Sequence, residues 1–298
     1  MRITNNMVTN SVLSELQQLD TQQSTLQAEV SSGLSVTQPS DNPAVFGQVI
    51  QEEGQGSQIA QFGENATQAL NVAQSTYAGL TSLTQIYDSA TQLATQGTGT
   101  LGADANAGYA DELNQLIAEA VTAANSQYNG NYLFAGTAVD APPFTTTTDG
   151  SGNITAVAYA GNSGQAAIPL SPTSSVAPTT SGATNSGLAD MINNMIAVRD
   201  ALTSGDPAAL ASAATSLNNS EEVLSTASAD NGAVQLSIQS EQTQEKTNAT
   251  ELSSLVSSQT NADLPTTITQ LDQTQLAYQA AMETAAKVLQ LSITQYIT

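Results

Sequence analysis

The last thirty-five residues constrain the fold most. Stepping by alternating fours and threes from position 264 gives Leu264, Ile268, Leu271, Gln275, Tyr278, Met282, Ala285, Leu289, Ser292 and Tyr296, of which eight are apolar or aromatic. This alternation lays one apolar seam along a supercoiled helix. A seam at a chain end calls for a partner surface, because unsupported termini fray. The opposite end supplies one. Val12, Leu16, Leu19, Gln23, Leu26 and Val30 follow the same spacing. The two ends are therefore expected to pair as one antiparallel coil, with two ordinary amphipathic helices on a common core as the plainer alternative.

Composition removes whole classes of chemistry. The 298 residues include no Cys and no His. A thiolate nucleophile, a Ser-His-Asp triad and a Cys/His zinc site are thus impossible, and no disulfide bears on the redox compartment. Acids outnumber bases 26 to 4, for a net charge of −22. Nucleic acid and anionic membrane surfaces both call for Lys and Arg, so neither is an expected partner. The opening residues lack an apolar signal-peptide core, and there is no run of eighteen apolar residues to span a membrane. Adjacent carboxylates occur at Glu52-Glu53, Asp111-Glu112 and Glu221-Glu222. Neighbours on a helix point different ways, so these read as solvated surface rather than catalytic pairs. No enzyme, cofactor or metal is expected. The spacing Asp149-x-Ser151-x-Asn153 resembles half a calcium loop but lacks the later bidentate Glu.

Taken in order, the chain goes out and comes back. Gly33, Pro39 and Pro43 punctuate a loop, and Asn42-Pro43 is an N-cap followed by a good first helical residue. A second seam runs through Phe62, Ala66, Ala69, Ala73, Thr76, Leu80, Leu83, Tyr87, Ala90 and Ala94, broken only by Thr76. A helix over about 106–128 follows. Asn129-Gly130 signals a turn, and Tyr132-Leu133-Phe134 a buried strand or hook. Residues 140–186 lack helical pattern. Phe144–Thr148 and Ile154–Tyr159 are strand-like, so a small β insert is expected to project from a helical body. Helices resume at 187. Asp206-Pro207 starts one of them, Leu210, Leu217 and Leu224 recur every seven residues, a break falls near Gly232, and Asp263-Leu264-Pro265 opens the last helix. The expected organisation is a terminal helix over 1–43, a helical arm over 44–139, a β insert over 140–186, a returning arm over 187–262 and a terminal helix over 263–298.

Five stretches together resemble the flagellin superfamily of bacterial flagellar axial proteins, and within it the members that join hook to filament. They are Met1–Thr4, Ser32-Gly-Leu with Pro39–Ala44, Asn131–Gly136, Leu188–Ala208, and Ala285–Ser292 with Tyr296. Two departures stand out. Leu34-Ser35 and Ala233-Val234 occupy places where related chains carry basic residues, which puts charge-based subunit contacts in doubt. The resemblance implies a mainly α, elongated rod of long helices with paired N- and C-terminal coiled-coil helices and a small β insert domain. It implies helical polymerisation into a homo-oligomer between hook-associated protein 1 and flagellin, on the extracellular flagellum, after export without a cleaved signal peptide. An export chaperone is the expected partner of the C-terminal segment. The expected assembly interface is Val12, Leu16, Leu19, Leu26, Val30, Leu264, Ile268, Leu271, Tyr278, Met282, Ala285, Leu289 and Tyr296. A flagellin is the alternative within the superfamily, and a secreted helical adhesin the alternative outside it.

Overall fold

The computed structural model describes residues 5–99 and 103–297, and the side chains of residues 7, 10–99 and 104–287. In chain order the elements are α1 (Asn5–Ser32), α2 (Pro43–Gly97), α3 (Ala103–Ala124), β1 (Gln127–Tyr128), β2 (Asn131–Tyr132), β3 (Phe144–Thr148), β4 (Ile154–Tyr159), β5 (Ile168–Pro169), β6 (Ser175–Val176), α4 (Gly182–Ser204), α5 (Pro207–Asn219), α6 (Glu221–Thr260) and α7 (Leu264–Ile297). The fold is mainly α, and the strands form three separate two-stranded antiparallel sheets. The chain divides into one compact unit of Met1–Ser57 with Ala249–Thr298 and a second of Gln58–Asn248.

The core of the second unit follows the seam read on α2. Ala66, Ala69, Ala73, Thr76, Leu80, Leu83, Tyr87, Ala90 and Ala94 are all buried, and only Phe62 at the start of the seam is half-buried. Thr76 does not break it. Its hydroxyl donates to the Val72 carbonyl at 2.9 Å, one turn back in the same helix. The polar atom is satisfied locally, and the methyl packs like that of a small apolar residue. Around this face gather Leu113 and Ile117 of α3, Leu188, Ile192, Met195 and Leu202 of α4, Leu210 and Leu217 of α5, and Leu224 of α6. The seven-residue recurrence of Leu210, Leu217 and Leu224 continues across the joint at Ser220 between α5 and α6. Asp206 caps α5, its carboxylate accepting from the backbone N–H groups of Ala208 and Ala209, with Pro207 in the first turn. Gly205 before it closes α4 at φ 67, a left-handed conformation that favours glycine.

Asn129 and Gly130, with φ of 50 and 85, form the tight turn that joins β1 to β2. The chain then drives Phe134 into the core against Gly79 of α2, where an added Cβ would lie 3.0 Å from the ring.

Strands β3 to β6 all fall within residues 140–186, and they pack against the helices. Phe144 of β3 and Val157 of β4 are buried in the main helical core, and Leu170 lies in a second cluster with Ala66, Ala69 and Ala73 of α2 and Ile238 of α6. Two asparagines fasten the hairpin through its outer edges. Asn125 donates to the Phe144 carbonyl at 2.9 Å and accepts from its N–H at 3.0 Å. Asn193 does the same for Val157, at 2.8 and 2.9 Å. Each side chain replaces the missing neighbouring strand, a pattern with no period for a sequence reading to detect. One expectation is corrected: the break expected near Gly232 is absent, since α6 runs unbroken from Glu221 to Thr260. A mid-helix glycine costs about 1 kcal/mol relative to Ala, which is small against the flanking burial of Leu224, Ala227 and Ile238.

Candidate assembly interface

In the first unit, α1 packs against α7. The ends are tied where α1 stops and α7 starts. Gly33, at φ 73, ends α1, and its carbonyl accepts from the Ala262 N–H at 2.9 Å. The Ser35 N–H donates to the Thr260 carbonyl at 2.7 Å, and Leu34 bridges Asn261 antiparallel. The two helices therefore run antiparallel away from this clasp. Asp41 stiffens the loop that follows, accepting from the N–H groups of Thr37 and Gln38 and from the Thr37 hydroxyl. Those donors, the Thr37 N–H foremost, hold its carboxyl below the usual aspartate range. Asn42 then caps α2 through the Val45 N–H at 3.2 Å, with Pro43 as the first helical residue.

On α1 the expected seam faces its partner. Val12, Leu16, Leu19, Gln23 and Val30 are half-buried and Leu26 is buried, while Met7 and Leu13 are exposed. On α7 the buried line is displaced from the expected one. Thr267 and Thr274 are buried, and Leu271, Tyr278, Ala281 and Ala285 are half-buried. Leu264, Ile268 and Met282 are 40%, 45% and 50% exposed, and Leu276 is 66% exposed. At every other step the chain uses 267, 274 and 281 in place of 268, 275 and 282. The reason is the one seen at Thr76. The Thr267 hydroxyl donates to the Asp263 carbonyl at 3.0 Å and the Thr274 hydroxyl to the Gln270 carbonyl at 2.8 Å. With hydroxyls satisfied, two threonines and an alanine present small faces to α1, and the larger apolar residues flank the contact. Leu289 and Tyr296 lie outside the residues whose side chains are described.

The flanks give this unit an unusual surface. Among the described residues, its exposed large hydrophobics are Met7, Leu13, Ile50, Leu255, Leu264, Ile268, Leu276 and Met282, against Tyr77 and Leu236 in the longer second unit.

The acidic pairs gather into nothing comparable. Glu53, Asp111, Glu112, Glu221 and Glu222 are exposed, and Glu52 accepts from the Gln259 amide at 3.1 Å. Asp149 spends its carboxylate on its own turn, accepting from the N–H groups of Ser151 and Asn153 at 2.8 and 2.9 Å. No group of three potential metal ligands occurs among the described residues, and none of their helices is long and apolar enough to cross a membrane. Sequence reading missed the buried Arg199. It holds Asn114 Oδ1 and the Ile154 carbonyl, both at 2.8 Å, and pairs with Asp200 at 2.6 Å. A lone Arg inside an apolar helix face was the available signal, and its role is to tie α3, α4 and β4 together.

Residues 3–139 match the bacterial flagellin N-terminal helical region. The chain is also similar to flagellar hook-associated protein 3. The chain is 32% identical over 154 residues to that protein of Salmonella typhimurium, a match covering 50% of this chain and 48% of the relative. It thus spans about half the length of the curated relative. The fold is that of Bacillus cereus FlgL (TM-score 0.60, 17% identity, 69% of this chain and 98% of the other). It is equally that of a structure from Vibrio parahaemolyticus assigned to a flagellar hook-associated protein (TM-score 0.66, 18% identity, 74% and 100%).

Proposed function

We propose that this protein is a structural subunit of the bacterial flagellum that forms the junction between the hook and the flagellin filament. It polymerises through its terminal helices, with hook-associated protein 1 on one side and flagellin on the other, and catalyses no reaction. The observation that carries this reading is the crowding of exposed large apolar residues onto the α1/α7 unit, beside a seam already closed within the chain. Val12, Leu16, Leu19, Leu26, Val30, Leu271, Tyr278 and Ala285 hold the helix pair, and Leu264, Ile268 and Met282 present its outer contacts to neighbouring subunits. Leu289 and Tyr296 extend the same helix toward its end. The net charge of −22 favours a soluble subunit. The subunit is exported to the cell exterior without a cleaved signal peptide, and a chaperone covers the C-terminal segment beforehand.

The test is an epitope tag in the exposed turn at Gly150-Ser151, expressed in native cells lacking the untagged chain and located by immunogold on intact flagella. A narrow band just beyond the hook is the expected result. Label along the whole filament would make the protein a flagellin, and flagella without label would remove it from the axis altogether.

A further inference from the structure

The chain has no Cys, His or Trp, so its five methionines hold all of its sulfur and are its most readily oxidised side chains. The structure sorts them sharply. Met191 and Met195 of α4 are fully buried in the core of the second unit. Met7 of α1 and Met282 of α7 are 65% and 50% exposed, and both belong to the α1/α7 unit. Met1 lies outside the described residues.

Met7 and Met282 also share one end of the helix pair. At 1.5 Å per residue, Met282 lies about 30 Å along α7 from the clasp, and Met7 about 40 Å along α1. Leucine would serve either helix as well as methionine does. What methionine adds is a thioether on a flexible stem. On the flank that also carries Leu264 and Ile268, Met282 is the one side chain that can take up oxygen.

We infer that Met282 and Met7 are oxidation sites through which a peroxide closes the outer face of the α1/α7 unit to a neighbouring subunit. This rests on the reading of the α7 flank as a subunit contact. In the step, the thioether sulfur attacks one peroxide oxygen. The S–O bond forms, the O–O bond breaks, the sulfur is oxidised by two electrons, and the second oxygen leaves as water. The product, methionine sulfoxide, has nearly the length of methionine but is polar. An apolar contact that buries it leaves its oxygen without a donor. The buried Met191 and Met195 are shielded, so the core survives the reaction.

The full-length monomer, treated with hydrogen peroxide and mapped by peptide mass spectrometry, tests the sites. Met282 and Met7 form sulfoxide at least about tenfold faster than Met191 and Met195. Equal rates at the exposed and buried pairs overturn the inference. The consequence is read in native cells lacking the unaltered chain, with the epitope-tagged protein located by immunogold. Met282→Leu, apolar and not oxidisable, keeps the normal band. Met282→Gln, which puts an uncharged polar group where the sulfoxide would stand, lowers the fraction of labelled flagella by about tenfold. A normal band with Met282→Gln while Met282→Asp blocks incorporation overturns the inference alone. A normal band with both variants removes the flank contact as well. An equal loss with Met282→Leu also overturns the inference, because side-chain shape rather than polarity would then decide the contact.

Discussion

Moving a charge by eight residues along α7, from 274 to 282, separates two surfaces that a sequence seam merges. Thr274 is 6% exposed and faces α1. Its hydroxyl proton is taken by the Gln270 carbonyl at 2.8 Å. In Thr274→Asp a carboxylate replaces that donor, faces the same carbonyl, and has no cation beside it on the seam, whose neighbours on α7 are Leu271 and Tyr278. An uncompensated buried charge costs about 3 kcal/mol or more, enough to shift the helix-pairing equilibrium by roughly two orders of magnitude. Met282 is 50% exposed, so Met282→Asp forfeits only part of a methionine's burial, less than about 1 kcal/mol. Thr274→Val keeps the buried methyl and removes a self-satisfied hydroxyl, so it stays within about 1 kcal/mol of the parent. Proteolysis and hydrogen exchange of the monomer read the pairing, and motility of complemented cells reads assembly. Thr274→Asp opens α1 and α7 in the monomer. Met282→Asp leaves the monomer intact and stops incorporation. If Met282→Asp opened the pair as fully as Thr274→Asp, the buried line would run through 275 and 282, and the register described for α7 would be wrong. Normal motility with Met282→Asp would remove the flank from the interface.

Three further outcomes follow from the geometry. Arg199→Ala strands the Asn114 and Ile154 acceptors, so thermal denaturation detects a loss of about 1–3 kcal/mol. Asn193→Leu unties both outer-edge groups of Val157, costs about 1–3 kcal/mol, and raises protease sensitivity at the 149–153 turn while the helices persist. The Asp41 and Asp149 carboxyls are both held below the usual range by backbone N–H donors, from Thr37 and Asn153 respectively. Their contribution is present at neutral pH and is lost as pH falls below about 4 through the depressed folded values. An NMR titration of the two loops should show disorder setting in only there, and Asp41→Asn should remove the transition from the 33–43 loop.

The legible parts of this fold were those where one residue type sits at one phase. On α2 the alternation of three and four marked the buried face residue by residue from Ala66 to Ala94. Asn42-Pro43 and Asp206-Pro207 marked helix starts because a side-chain acceptor before a proline has little else to do locally. What escaped was set by partners distant in sequence. Asn125 and Asn193 look like ordinary polar helix residues until the hairpin edges they complete are in place. Gly232 looks like a stop because its local cost is visible in the sequence, whereas the burial on either side of it is not.

The misplaced line on α7 has a more general cause. A heptad template scores Leu, Ile and Met as seam residues and Thr as an interruption. Here a threonine whose hydroxyl donates to the carbonyl one turn back carries no unsatisfied polar group, so its effective surface is a methyl on a short, stiff stem. Such residues let two helices approach closely, and a close approach leaves no room for Ile268 or Met282 between them. Those side chains are then displaced to the flank, where the isolated chain cannot bury them. Thus threonine and alanine share the α1/α7 seam with Leu271 and Tyr278, while Leu264, Ile268 and Met282 stay exposed beside it, which is what the proposed contact with a neighbour requires.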